Sequence, residues 1–271
     1  MVADFSAIEA RVISWLAGEQ WRLDVFKTHG NIYEASASQM FGVPIEKIKK
    51  GNPEYALRQK GKVAELALGY QGSSGALIQM GALDMGLSEE ELPEIVERWR
   101  SANRRIVDLW HTVQLCAIKA ITTGTAQAMQ KGITFAIENG NLVITLPSKR
   151  RLFYIRPEII TNSFGSQALA YMGQNQKSGK WEKIPTYGGK LTENIIQAIA
   201  RDCLAESIKN LVKVGYVPVF HIHDEVICEV PKNSDYFTLE RAIEIMCKPI
   251  NWAEGLPLNA DGFKSDYYKK E

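Results

Sequence analysis

Asp4 and Asp224 are the side chains from which a chemistry follows most directly. Asp4 closes a short apolar run, and Asp224 sits at the centre of Val217–Val230, where two β-rich stretches flank the polar triplet His223-Asp224-Glu225. An aspartate at a strand end and another at a hairpin tip offer hard carboxylate oxygens. Mg²⁺ prefers such ligands, commonly taking one or two from protein and leaving its other positions to water and phosphate. Two such ions about 3.5–4 Å apart activate an attacking hydroxyl and stabilise a leaving oxygen in phosphoryl transfer. Taken singly, either aspartate reads as a cap or turn residue. His221 and His223 alternate along the same strand, but no third well-spaced His or Cys joins them to make a zinc site. A second constellation is Arg58, Lys62 and Leu66, spaced by four so that they share one side of a helix, with Tyr70 drifting further round. Two cations so placed can grip a triphosphate. On spacing alone, an exposed basic helix face is the competing reading. Gly72-Ser73-Ser74-Gly75 lacks the Gly-Lys-Ser/Thr of a P-loop and reads as a helix stop.

The elements that must position these residues can be read from periodicity. Ser6-Ala7-Ile8-Glu9 fits a capping box, with Ser6 as N-cap, leading from a strand end into a helix carrying Ile8, Val12, Trp15 and Leu16 and stopping near Gly18. Short helices separated at Gly30, at Gly42-Val43-Pro44 and around Gly51-Asn52-Pro53 follow. A helix is predicted from Glu54 to about Tyr70, and one long helix from Leu92 to Thr122. Residues 133–137 and 142–146 read as a hairpin, Arg151–Ile155 as a further strand, 192–213 as a helix, and a last helix falls near 237–248. The sum is an α-rich middle inserted between pieces of an α+β domain.

The composition is compatible with this reading. The 271 residues are 45% hydrophobic, enough for one large or two smaller cores. The formal charge of +1 points to no partner by itself, although Arg98, Arg100, Arg104 and Arg105 cluster, as do Lys149, Arg150, Arg151 and Arg156. The four cysteines form no Cys-x-x-Cys pair, which argues against a zinc site or disulfide framework and suits a reducing cytoplasm. No apolar run reaches the roughly 20 residues of a membrane span, and no secretory signal is visible at the start. A cytoplasmic protein with no membrane partner is expected.

Three segments in order then carry a resemblance. Asp4-Phe5-Ser6-Ala7-Ile8-Glu9-Ala10-Arg11 resembles the first polymerase motif of the A family of DNA polymerases. Arg58-x-x-x-Lys62-x-x-x-Leu66-x-x-x-Tyr70 resembles the second, and His223-Asp224-Glu225 the third. Gly30–Ala37, Leu146–Tyr154 and the Gln197 region extend the likeness over essentially the whole chain, and Gly61–Tyr70 looks most like the phage and prophage branch. The resemblance implies an α+β fold: a polymerase palm of antiparallel sheet with helices, at 1–17 and 126–271, and an inserted, mainly helical fingers subdomain at 18–125. Thumb and exonuclease domains are absent from this expectation, and a separate chain supplying them is a possible partner.

The resemblance also assigns roles. Asp4, Asp224 and Glu225 would hold two Mg²⁺ ions, with Asp4, Asp224 and Lys62 catalytic. Glu9, Tyr33, Arg58, Lys62, Leu66 and Tyr70 would bind the nucleotide, Glu9 by excluding a 2′-hydroxyl and Tyr70 by packing near the templating pair. Gln197, His223, Arg150 and Arg151 would contact DNA. Leu66 stands where the family usually has Phe or Tyr, and Tyr33 where many members have His. The implied partners are primer–template DNA and deoxynucleoside triphosphates, and the implied activity is template-directed DNA synthesis by a fragment or one part of a split polymerase. The alternatives are an inactive prophage remnant or DNA-binding module that keeps the fold. Glu9 and the His223-Asp224-Glu225 turn argue against a third reading, ribonucleotide polymerisation.

Overall fold

The computed structural model describes residues 1–162 and 165–269. The chain runs through β1 (Val2–Phe5), α1 (Ile8–Ala17), α2 (Gln20–Lys27), α3 (Ile32–Phe41), α4 (Ala56–Leu68), α5 (Ser74–Gln79), α6 (Leu92–Ala102) and α7 (Arg104–Thr123). Strands β2 (Gln127–Ala128), β3 (Thr134–Glu138), β4 (Asn141–Thr145), β5 (Arg151–Thr161), β6 (Gln167–Gln174) and β7 (Trp181–Thr186) follow. The rest is α8 (Gly188–Lys213), β8 (Val217–Ile222), β9 (Glu225–Glu229), α9 (Leu239–Met246) and β10 (Ala260–Phe263). The expected α+β class holds.

The chain packs as two compact units, Met1–Trp15 with Ile196–Glu271, and Leu16–Ile195. The first is built on an antiparallel sheet of order β10-β1-β9-β8. Its central strand β1 contributes Val2, Ala3 and Phe5 to the core, beside Val226, Ile227 and Cys228 of β9. Helix α9 packs on β1 and β10 through Ala242, Ile245 and Met246. A Cβ at Gly262 of β10 would overlap the Val2 carbonyl oxygen, so only glycine lets the two strands approach there.

The second unit joins helices α2–α7 to an antiparallel sheet of order β2-β3-β4-β5-β6-β7. Helix α7 lies against β2 to β6, which is why packing groups these strands with the helical middle and places the division between compact units within α8, at Ile195/Ile196. The tight turn of the expected hairpin is Asn139-Gly140, both at positive φ, the geometry that matches strand twist. Strands β6 and β7 were not expected. Pro185 lies in β7, which it can occupy because β7 is an edge strand without a further neighbour to bond.

Three expectations are corrected. The single helix over 92–122 is two, broken at Asn103, whose backbone leaves the helical region at φ −122°, ψ 48°. Asn103 is fully buried; its Nδ2 donates to the Trp99 carbonyl (2.8 Å), and its Oδ1 accepts from Arg22 Nη1 (3.0 Å). The Trp99 carbonyl keeps its helical partner, the Asn103 N–H at 3.0 Å, while beyond the break the Arg105 N–H donates to Glu19 Oε2 at 2.9 Å instead of to the ladder. The first helix begins at Ile8 after Ala7 at φ 51°, so Ser6 does not immediately precede it as the capping box required. Finally, α4 ends at Leu68, leaving Tyr70 in the turn beyond it.

Candidate active site

In the first unit the strand ladder decides which acids become neighbours. Asp4 of β1 stands directly opposite Glu225 of β9 on one side and Asp261 of β10 on the other. Directly paired residues point to the same face with Cα atoms about 4.5–5.5 Å apart, so three carboxylates form a row across the sheet. The Phe5 N–H donates to the Asp224 carbonyl at 3.3 Å, which sets the third-motif turn against the end of β1. Glu225 is the first residue of β9, and the turn itself is His223-Asp224, with His223 in the left-handed region at φ 51°. Histidine tolerates that region better than most residues, at a cost in strain of the kind that collects at functional sites.

Glu225 does not stand alone. Its carboxylate accepts from the Tyr268 hydroxyl at 2.6 Å, and that bond holds the Tyr268 phenol above its ordinary pKa. Among the described residues no group of three or more His, Cys, Asp or Glu is gathered closely enough to hold a metal. A pair of Mg²⁺ ions needs less from protein than such a cage, since phosphate oxygens and water complete the shells. The donor chemistry present, oxygen-only and concentrated on three adjacent strands, fits that requirement. Like charges directly opposite one another are unfavourable in a sheet unless something neutralises them.

Beside this row lies a recess of about 330 Å³ lined by Ile8, Glu9, Gln197, Ala200, Arg201, His223 and Asp224. It gathers four of the residues singled out in the sequence: Glu9 from α1, Gln197 from α8, and His223 and Asp224 from the hairpin turn. Arg201 was missed. It lies one helical turn after Gln197, so the i, i+4 relation is the signal that could have found it. Its Nη2 is 3.0 Å from His221 Nε2, which accounts for His221 without a metal. A larger recess of about 850 Å³, bounded by Val2, Phe220, Ile227 and Tyr268, contains none of the expected site residues.

The nucleotide-binding candidates belong to the second unit. Arg58, Lys62 and Leu66 lie on α4, and Tyr33 in the first turn of α3. The two helices touch at Gly61, where any Cβ would overlap the Tyr33 carbonyl oxygen. Arg58 Nε donates to Glu34 Oε1 at 2.7 Å, and its guanidinium lies over the Tyr33 ring at 5.4 Å. The bond to Glu34 is the main reason its pKa is raised. Burial, followed by the charge of Glu65, pushes the Tyr33 phenol up. Lys62 is half-buried with no ion pair among the described residues, and Leu66 is 47% exposed.

Helix α4 is anchored from below by a network the sequence did not disclose. Arg22 of α2, 1% exposed, donates to both oxygens of Glu65 at 2.7 and 2.5 Å, and Trp99 Nε1 donates to Glu65 Oε1 at 2.9 Å. Of the proposed DNA contacts in this unit, Arg150 is exposed beside the start of β5. Arg151 is ion-paired with Glu138 and covers the Phe153 ring at 5.1 Å.

Comparison with known proteins bears on these features. The chain is 58% identical over all of its 271 residues to the DNA polymerase of Bacillus phage SP02, of which it spans 41%. It is 23% identical to the chloroplastic/mitochondrial DNA polymerase I A of Arabidopsis thaliana, over 93% of this chain and 22% of that one. Among solved structures, the POL domain of Pol1 from M. smegmatis, in complex with DNA primer-template and dNTP, superposes with a TM-score of 0.61. That match has 19% identity and covers 96% of this chain and 38% of the other, a likeness of fold. No protein-family model matches the chain.

An antiparallel sheet carrying a row of acids, joined in sequence to a helical unit with a cationic helix, is the polymerase-domain architecture. The chain resembles the A family, the polymerase I-like group of DNA polymerases, and spans about two fifths of the length of the phage relative.

Proposed function

We propose that this chain carries the nucleotidyl-transfer centre for template-directed DNA synthesis. The primer 3′-hydroxyl attacks the α-phosphate of a deoxynucleoside triphosphate; a P–O bond to the primer forms, the α–β bridging bond breaks, and pyrophosphate leaves. The observation that carries this reading is the β1–β9 register, which sets Asp4 beside the Asp224 turn in a chain 58% identical to a phage DNA polymerase. Asp4 and Asp224, with Glu225 adjacent, would hold two Mg²⁺ ions. When bound, such ions supply Lewis-acid stabilisation of the attacking and leaving oxygens.

The protein's own groups bind and orient. Lys62 and Arg58 neutralise the triphosphate, and Lys62 protonates or screens departing pyrophosphate. Arg58 must exchange Glu34 for phosphate to do so. Tyr33 and Leu66 flank the nucleotide, Tyr70 packs on the templating pair, and Glu9 sits under the sugar to disfavour a 2′-hydroxyl. Gln197 and His223 read the primer–template minor groove, while Arg150 and Arg151 meet its phosphates. In these functional terms 1–17 and 126–271 act as palm and 18–125 as fingers, with duplex grip supplied from outside this chain, by more of the same polymerase or by a separate thumb- and exonuclease-bearing chain.

Primer extension with Mg²⁺ by wild type, Asp4→Ala and Asp224→Ala, with a thumb-bearing chain added in parallel, tests the reading. Each substitution is expected to cut the rate by about three orders of magnitude, the scale of losing several kcal/mol of charge stabilisation. Extension by Asp224→Ala at the wild-type rate would overturn it. Salt-sensitive DNA binding by all three proteins with no extension by any would mark a binding module that retains the fold.

A further inference from the structure

Arg201 is a cation without an anionic partner. Among the described residues it forms no ion pair, and its one hydrogen-bonding contact is His221 Nε2, 3.0 Å from Nη2. A guanidinium can only donate, so Nε2 must accept, and the neutral His221 ring then carries its proton on Nδ1. The other terminal nitrogen, Nη1, is buried with no hydrogen-bond partner. Native structures rarely leave a charged donor in that state unless a ligand completes it. The side chain also lines the recess shared by Glu9, Gln197, His223 and Asp224. Glu9 and Asp224 border the same space, yet neither forms an ion pair with it. An oxygen entering the recess therefore approaches an arginine whose guanidinium is held on one side by His221 and has one terminal nitrogen unsatisfied. The chemistry that suits such a group is a phosphate oxygen, because guanidinium–phosphate bonds are charge-assisted and directional.

We propose that Arg201 binds a phosphodiester of the primer strand near its 3′ end, with His221 as the positioning residue that holds the guanidinium. This rests on the polymerase reading for the identity of the strand.

The test is a coupling measurement on the whole chain. Binding of primer–template is measured by fluorescence anisotropy at fixed salt, using primers in which each of the last three phosphodiesters is replaced in turn by a neutral methylphosphonate. One replacement is expected to weaken wild type roughly tenfold and to have no effect on Arg201→Ala, while Arg201→Lys keeps part of the penalty. Equal penalties in wild type and Arg201→Ala at every position would overturn the proposal. His221→Gln, which keeps an acceptor, should retain the coupling; an unchanged coupling in His221→Leu would remove the role given to His221. The readout does not require catalysis. Coupling without extension by wild type would fail the polymerase reading alone, and extension without coupling would fail this inference alone.

Discussion

Arg58 shows how a single ion pair sets the cost of binding. The guanidinium sits on Glu34 at 2.7 Å, and both side chains are partly exposed, at 29% and 19%. Such pairs contribute about 0–1 kcal/mol, and under the proposed function a triphosphate would displace this one. Glu34→Ala should therefore lower the KM for deoxynucleotide by up to about fivefold, whereas Arg58→Ala should raise it about tenfold, both read from steady-state extension. A KM that rises in Glu34→Ala would mean that the pair holds Arg58 in its working position. At this scale the sequence was informative about identity and silent about partners. Asp4, Asp224 and the α4 cations were visible as residue types at fixed spacing. Glu34, Tyr268 and Asp261 were not, because their roles depend on which strand or helix lies alongside, and no local pattern encodes that.

At the scale of elements, the helix that presents Arg58 and Lys62 owes its position to the buried Arg22–Glu65 pair and to the close approach at Gly61. Removing one partner of a buried pair strands the other charge, at a cost of about 3–5 kcal/mol. Arg22→Met should lower stability by that amount, and Arg22→Met combined with Glu65→Met should recover much of it, measured by urea denaturation. If the double variant is no better than the single, the pair is worth more than the apolar contacts that replace it. Apolar periodicity made α1, α7 and α8 legible, and alternation did the same for the β3–β4 and β8–β9 hairpins. The break at Asn103 was hidden because apolar residues keep helical spacing on both sides of it. The partners that meet the chain there, Arg22 at Asn103 and Glu19 at Arg105, lie some eighty residues earlier, where no local signal reaches. Strands β6 and β7 failed for a different reason: β7 alternates toward solvent and carries a proline, so it reads as loop.

For the whole molecule, a formal charge of +1 means that any grip on DNA comes from local clusters and not from a net field. Each phosphate contact contributes a slope of about −0.9 to log K against log salt on duplex. Arg151 is already neutralised by Glu138, so Arg151→Ala should change that slope by well under 0.9, in a salt titration of duplex binding. A change near 0.9 would show that Arg151 abandons Glu138 for DNA. No helix among the described residues is long and apolar enough to cross a membrane. The family resemblance was legible from three motifs in order; the compact units divide inside α1 and α8, where helical periodicity continues unbroken. The central place of β1 carries a further consequence. Its neighbours β9 and β10 are encoded more than two hundred residues later. On a ribosome adding about 5–20 residues per second, the strand bearing Asp4 emerges roughly ten to forty seconds before anything exists for it to pair with. The helical middle can fold during that wait, while the nascent strand bearing Asp4 depends on staying unpaired, or on a chaperone, until β9 and β10 have been made.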